Sequence, residues 1–234
     1  EYTFEFIPVH DFSSVPDVGD TCTRACLEIG IGVKNKFNPN FSQVAATTPV
    51  TGETLDGIIE CEIELPDLPN KPIFIYPVHL PWKYRDHKEA EELLKKIKGK
   101  AEEPNKPNVI IIGDFNYDPK DHYNGKWITN EVLTSGYTLC EIDRKRNIGS
   151  YPFHTGMNQR KVIDLIFIKG EIKQYTKPVI STYKKISDHY PVVQTLYISG
   201  TQTAPAPAPA PAPGASVQNP VPNPLDEFNK VKHY

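Results

Sequence analysis

Short apolar runs, and stretches in which apolar and polar residues alternate, recur through the first 200 residues, and both patterns are typical of β-strands. The segment 84–98 differs, because apolar residues recur there at helical spacing with Glu and Lys between them, which predicts an amphipathic helix. The predicted strands are 2–9, 25–33, 58–65, 73–80, 109–112, 138–142, 161–169, 177–182 and 192–198, with a short helix over 127–135. Many strands and few helices favour an α/β sandwich with largely antiparallel sheets over a doubly wound parallel sheet.

The composition fits one globular domain followed by a tail. Hydrophobic residues make up 38% of the 234-residue chain, and a net charge of −3 gives no general attraction to nucleic acid or to an anionic membrane. Apolar runs stay well below the roughly 20 residues of a membrane span. A strict Ala-Pro repeat over 204–213 predicts a stiff polyproline-II spacer. We therefore divide the chain into a domain (1–200), a linker (201–214) and a C-terminal tail or docking peptide (215–234).

The cysteine pattern gives little direct information on function. The four cysteines, at positions 22, 26, 61 and 140, do not form paired Cys-x-x-Cys motifs, so a zinc site is not expected. Cys22 and Cys26 could close a small disulfide loop in a secreted protein, and buried free thiols are the alternative. A glycosylation sequon at Asn40 adds slight support for a secretory history. The compartment therefore stays open, with a secreted or organellar protein among the alternatives.

The most informative stretch is 109–116, where four β-branched residues are followed by a glycine and then by Asp114 and Asn116. At the strand period of two, both side chains would point the same way, which would place an oxygen pair on a rigid base. The alternative is a strand that simply ends in an Asx turn. Further polar groups break or precede apolar runs at His79, Asp164 and Asp188-His189.

These polar groups predict one shared site. A buried carboxylate is costly unless it is paired or coordinated, and a hard divalent cation with a phosphate would satisfy all of the groups together. Oxygen ligands favour Mg²⁺, Mn²⁺ or Ca²⁺ over zinc. The adjacent carboxylate and imidazole of Asp188 and His189 suit general acid–base chemistry. The residue types thus predict metal-assisted hydrolysis of a phosphodiester by water.

At this point the motifs resemble a known family. Taken in order, Tyr-Pro-Val-His-Leu-Pro, Ile-Ile-Gly-Asp-Phe-Asn, Val-Ile-Asp-Leu-Ile-Phe and Ser-Asp-His-Tyr-Pro-Val resemble the motifs of the endonuclease/exonuclease/phosphatase superfamily. The resemblance covers about residues 1–199. It implies a DNase-I-like four-layer αββα sandwich of two mixed β-sheets, here followed by a Pro-rich C-terminal tail. It also implies a Mg²⁺-dependent phosphodiesterase with nucleic acid as the expected substrate, while sphingomyelinase-like and inositol-phosphatase-like substrates are alternatives.

The resemblance also implies roles for single residues. Asp114 looks like the group that orients or deprotonates the attacking water, and Asn116 resembles the carboxamide that contacts the phosphate. His79 resembles the imidazole that protonates or stabilises the leaving oxygen, with Asp164 similar to the carboxylate that orients it. His189 resembles the phosphate-binding or general-base imidazole.

For the metal, the resemblance implies Asp188, Asp114 and Asn116 as ligands, with Asp188 alternatively a partner of His189. Family members begin with a strand that ends in Asn and a second strand that ends in a metal-binding Glu, and neither is recognisable in this chain. The fold is therefore expected to be N-terminally incomplete, so that a second chain, a separately cleaved N-terminal fragment or a rebuilt edge would complete the sheet.

This departure supports an alternative function. The chain could be a catalytically impaired family member that serves as a structural or protein-interaction module. Its Ala-Pro spacer would then present the C-terminal tail to a protein partner as a tethered docking peptide.

Overall fold

The computed structural model describes residues 1–8, 28–47, 54–80, 88–120, 127–128, 135–142, 150, 161–180 and 189–199. The predictions for the Cys22–Cys26 loop, for Asp188 and for the linker and tail concern residues outside these ranges, as does most of the predicted helix over 127–135. The elements in chain order are β1 (Tyr2–Pro8), β2 (Glu28–Lys34), β3 (Asn40–Thr47), β4 (Thr54–Leu65), β5 (Leu68–His79), α1 (Lys88–Ala101), β6 (Asn108–Asp114), β7 (Thr138–Leu139), β8 (Asp164–Lys169), β9 (Ile172–Gln174), β10 (Val179–Ile180), β11 (Val192–Val193) and β12 (Leu196–Ile198).

Six of the strands form one mixed sheet in the order β3-β4-β5-β6-β8-β7. Strands β5 and β6 are parallel, with α1 between them in the chain, and the other neighbours in this sheet are antiparallel. The parallel pair brings the carboxyl ends of β5 and β6 to the same edge of the sheet. The amino end of β8 lies at that edge too, because β8 runs antiparallel to β6.

Hydrophobic cores lie on both faces of this sheet. On one face α1 buries Leu94 and Ile97 in a cluster with Tyr76, Ile111 and Phe167. Full burial of a leucine side chain contributes about 1.5–3 kcal/mol, so α1 owes its stability to this apolar face. The opposite face packs against residues of the smaller antiparallel pairs β1–β2, β10–β11 and β9–β12, and its cluster includes Val33, Ile73, Ile166, Ile168, Ile172 and Ile198.

The predicted fold class, an α/β sandwich, is confirmed. The described residues show three of its expected layers: α1, the mixed sheet and the smaller strand pairs. Three details differ from the strand prediction. Strand β3 was not expected, because it is an edge strand whose first residues, Asn40, Ser42 and Gln43, are polar and exposed. The short β9 was also missed, and the predicted strand 192–198 divides into β11 and β12, which pair with different partners.

Two of the cysteines, Cys61 and Cys140, are buried free thiols in the sheet region. Burial raises the pKa of Cys61 to about 12, with the charge of Glu62 adding to the shift, and burial raises the pKa of Cys140 to about 11. Both side chains therefore act as small apolar core residues. No helix within the described ranges has the length and apolar character needed to cross a membrane.

Candidate active site

Three of the predicted site residues form a row across the mixed sheet. The strand register pairs His79 of β5 with Asp114 of β6, and Asp114 with Asp164 of β8. Opposed residues of neighbouring strands point to the same face, so the three side chains lie together on the face that carries Ile112, away from α1. The apolar interior between the sheets thus ends in a polar row at this edge.

The distances show how closely the charged groups approach. Asp114 Oδ2 lies 3.7 Å from His79 Nε2 and also 3.7 Å from His189 Nε2. His189 Nδ1 lies 2.8 Å from Asp164 Oδ2, which is a hydrogen bond. The side chains of the four residues keep between 18% and 28% of their surface exposed, so a substrate can reach them.

The bond between Asp164 and His189 fixes the orientation of the imidazole. A carboxylate accepts hydrogen bonds, so Nδ1 of His189 carries the proton that it shares with Asp164. In the neutral ring, Nε2 then carries the lone pair, and it lies 3.7 Å from Asp114 Oδ2. Such a nitrogen can accept a proton, and once protonated it can bind an anionic oxygen.

The two carboxylate oxygens of Asp114 make different contacts. Its Oδ1 accepts a hydrogen bond from the backbone N–H of Asn116 at 2.7 Å, which is an Asx turn. Its Oδ2 is the atom close to His79 and His189. The two interpretations of this stretch, a polar site and an Asx turn, therefore both apply, each to one oxygen.

Asn116 is positioned by this turn and not by the alternation of a strand, which was the basis for predicting that its side chain points the same way as that of Asp114. Strand β6 ends at Asp114, and Asn116 has a left-handed backbone with φ 58°, which Asn tolerates better than most residues. Its Nδ2 donates to the carbonyl of Leu80 at 2.7 Å. The N–H of Leu80 in turn donates to the backbone carbonyl of Asp114 at 2.9 Å, so the ends of β5 and β6 are tied together.

A glycine makes this close approach of β5 and β6 feasible. Gly113 has φ +145°, and a Cβ there would lie 2.0 Å from the carbonyl oxygen of Val78. Both residues directly precede site residues, namely Asp114 and His79. Only glycine fits between the two strands at this point.

Two buried side chains that the sequence analysis missed hold the start of β8. Ser150 Oγ accepts hydrogen bonds from the backbone N–H groups of Ile163 and Asp164, each at 3.1 Å. Asp118 Oδ2 accepts from the N–H of Val162 at 3.0 Å. Ser150 gave no sequence signal, because it resembles any loop serine. The Asp-Pro pair at Asp118 is typical of a turn, and nothing in it points to a bond with a distant strand.

Three of the site residues also offer a donor set for a cation. One ligand atom each from Asp114, Asp164 and His189 lies within 4.8 Å of the others. Two carboxylates and an imidazole suit a divalent ion such as Mg²⁺ or Mn²⁺. Of the three ligands predicted from the sequence, Asp114 belongs to this group and Asp188 lies outside the described ranges. The amide nitrogen of Asn116 is bound to Leu80.

Comparison with known proteins identifies the family. The model of the endonuclease/exonuclease/phosphatase family matches residues 7–189, which is well over half of the chain. The chain belongs to this family, as its motifs predicted. No curated protein matches the sequence.

Solved structures show the same fold at low sequence identity. A family protein from Leptotrichia buccalis is 16% identical with a TM-score of 0.58, and the match covers 85% of this chain and 72% of that one. A second, from Beutenbergia cavernae, is 15% identical with a TM-score of 0.61, and the match covers 86% of this chain but only 54% of that one. The catalytic domain of human Nocturnin, solved with a bound sulfate anion, is 15% identical with a TM-score of 0.54 and coverages of 85% and 73%.

Proposed function

We propose that this protein is a divalent-metal-dependent phosphodiester hydrolase that acts on nucleic acid through in-line attack of water. The observation that carries the proposal is the position of Asp114 Oδ2, which lies 3.7 Å from the Nε2 atoms of both His79 and His189. One carboxylate oxygen between two imidazoles provides a base and two proton-transfer or anion-binding groups within the span of a single phosphate.

Asp114 would hold the cation, with Asp188 and Asn116 as the further ligands that the resemblance implies, and the bonded Asp164–His189 pair would lie beside it. When bound, the cation stabilises negative charge on the phosphoryl and leaving oxygens. The protein groups then divide the remaining work among them. Asp114 orients the water and accepts its proton.

The two imidazoles act on the phosphate from either side of Asp114. His189 presents Nε2 to the phosphate because Asp164 holds its Nδ1. His79, at the end of β5, donates a proton or a hydrogen bond to the leaving oxygen. Asn116 contributes its carboxamide to the phosphate, at a position fixed by the turn after β6.

Two observations support a phosphate ester as the substrate class. Endonucleases, exonucleases and phosphatases all give the family its name. The similar Nocturnin domain holds a sulfate, an oxyanion of the same shape as phosphate. Within this class we propose nucleic acid, as the sequence motifs implied, and the assay below separates it from other phosphate esters.

The test is nicking of supercoiled plasmid by the full chain in Mg²⁺ or Mn²⁺, with EDTA as the metal-free arm. Asp114→Asn keeps an oxygen for the N–H of Asn116 and removes the base, so we expect activity to fall by about 100-fold or more. The matched control is Asp67→Asn, the same change at an exposed residue in the turn between β4 and β5, which should nick like the wild type.

Each outcome separates the alternatives. Nicking that needs metal and is lost in Asp114→Asn supports the proposal. If folded wild-type protein leaves the plasmid intact but hydrolyses a phosphomonoester or a phospholipid headgroup, the nucleic-acid part is wrong. If it is inert toward all three substrates, the impaired-module alternative is favoured.

A further inference from the structure

Ser150 connects the two chain segments that supply the Asp164–His189 pair. The residue is completely buried. Its hydroxyl oxygen accepts hydrogen bonds from the N–H groups of Ile163 and Asp164, at 3.1 Å each. Its carbonyl oxygen accepts from the N–H of Tyr190, at 2.7 Å. One residue therefore binds the backbone of Asp164 directly and the backbone next to His189.

Such a link is needed because the pair is long-range. Asp164 and His189 are 25 positions apart in the chain, yet their side chains meet at 2.8 Å. A relative shift of about 1 Å between the two segments would stretch this contact beyond hydrogen-bonding distance. Strand pairing restrains Asp164 on the side of β6, where the N–H of Phe115 donates to the carbonyl of Ile163. Ser150 adds a second restraint at the same point, through the N–H groups of Ile163 and Asp164.

We infer that Ser150 is a positioning residue that sets the distance between the Asp164 carboxylate and the His189 imidazole. Its hydroxyl binds the start of β8, and its carbonyl binds the segment that contains His189. Because both groups belong to one buried residue, the distance between the two segments is fixed. The catalytic consequence of this role rests on the proposed function, whereas the effect on the pair itself does not.

The first experiment therefore observes the pair without any substrate. In the metal-free full chain, the Nδ1–H proton of His189 should give a low-field proton resonance because it is shared with a carboxylate, and its absence in His189→Gln assigns it. In Ser150→Ala, which removes the oxygen and little volume, we expect this resonance to shift upfield or to vanish through exchange with water.

A matched control loses similar bonds far from the site. Asn108 is buried at the opposite end of β6, where its Oδ1 accepts from the N–H of Glu171 at 3.0 Å and its Nδ2 donates to the carbonyl of Pro72 at 3.4 Å. Six strand residues place it roughly 20 Å from Asp114. Asn108→Ala should lower the melting temperature and leave the His189 resonance where it is.

The second experiment measures kcat and KM on a phosphodiester for the same variants. Misplacement of a catalytic group by about 1 Å can cost about 100-fold, so we expect kcat of Ser150→Ala to fall by about 10- to 100-fold, with Asn108→Ala within about twofold of the wild type. Ser150→Thr restores the oxygen but crowds a fully buried position. It should therefore recover the resonance and most of kcat while it melts at a lower temperature.

The outcomes are distinct. A wild-type resonance in folded Ser150→Ala would overturn the inference, even if the chain proves inactive. If Ser150→Ala does not fold, amide hydrogen exchange of the wild type decides. Slow exchange at Ile163 and Asp164 supports the inference, and exchange at the rate of a free peptide overturns it.

Discussion

Replacing Gly113 by alanine would add one methyl group between the two strands that carry His79 and Asp114. The new Cβ would lie 2.0 Å from the carbonyl oxygen of Val78, whereas real Cβ atoms essentially never come within 3.0 Å of another heavy atom. Strands β5 and β6 would therefore have to separate by at least the difference, 3.0 − 2.0 = 1.0 Å, beside the site.

The expected cost follows from two terms. Alanine at φ +145° is strained by about 1–3 kcal/mol, and forcing a methyl group into a closed space costs about 1–3 kcal/mol more. The sum of about 2–6 kcal/mol is large against a total stability of about 5–15 kcal/mol. Urea unfolding measures this loss. Because the strands separate next to His79 and Asp114, kcat of the folded fraction should fall by about 100-fold.

Two other glycines serve as controls. Gly170 has φ +89°, and a Cβ there would lie 2.0 Å from the carbonyl of Pro107, at the end of β6 remote from the site. Gly170→Ala should thus destabilise the protein to a similar degree with kcat preserved. Gly99 is helical with nothing within 4 Å, so Gly99→Ala should stabilise by about 0.5–1 kcal/mol. If Gly113→Ala lies within about 1 kcal/mol of the wild type, or if Gly170→Ala loses as much activity, the packing argument is wrong.

Further predictions concern the Lys106–Glu60 pair, the two buried thiols and Asn116. Lys106, whose side chain is 4% exposed, forms an ion pair with Glu60. Lys106→Met leaves the Glu60 carboxylate without this partner, so we expect the free energy of unfolding in urea to fall by about 3–5 kcal/mol. The double variant with Glu60→Leu should regain much of that stability, and simple addition of the two single effects would contradict the prediction. Cys61 and Cys140 have raised pKa values of about 12 and 11, so iodoacetamide at about pH 8.5 should alkylate both only after unfolding. Since unfolded thiols ionise near 9.0, the unfolded chain binds fewer protons above that pH and stability should fall as the pH rises further. Asn116→Gly can keep the backbone at φ 58° but loses the hydrogen bond to the carbonyl of Leu80. We expect the protein to lose about 1 kcal/mol of stability and kcat to fall more than tenfold. An unchanged kcat would exclude a role for the carboxamide.

The strands that carry the site were predictable because each is buried on both faces or nearly so. Runs such as 109–112 contain no polar residue, so the first one that follows, Asp114, is conspicuous. The register was not predictable from the sequence. It depends on how β5, β6 and β8 pair, and a shift of one residue would turn Asp114 away from His79.

Residues that act through the backbone were the hardest to predict. Ser150 and Asp118 accept hydrogen bonds from main-chain N–H groups, which every residue except proline carries. The partner's side chain therefore gives no indication of the bond in the sequence. Edge strand β3 was missed because its first half, Asn40 to Gln43, is mostly polar, as an edge strand can be.

The two oxygens of Asp114 have different partners, and a test of its role must separate them. Oδ1 closes the Asx turn to Asn116 at 2.7 Å, and Oδ2 faces the two imidazoles. Asp114→Ala removes both oxygens, so it should lose about 1 kcal/mol of stability together with activity, and a dead variant would not distinguish a damaged turn from a missing base. Asp114→Asn keeps an acceptor for the turn and should unfold at nearly the wild-type urea concentration. If both variants are inactive and only the alanine variant is destabilised, Oδ2 is the atom that carries the chemistry. If Asp114→Asn retains wild-type activity, the carboxylate is not the base, and the histidines must supply it.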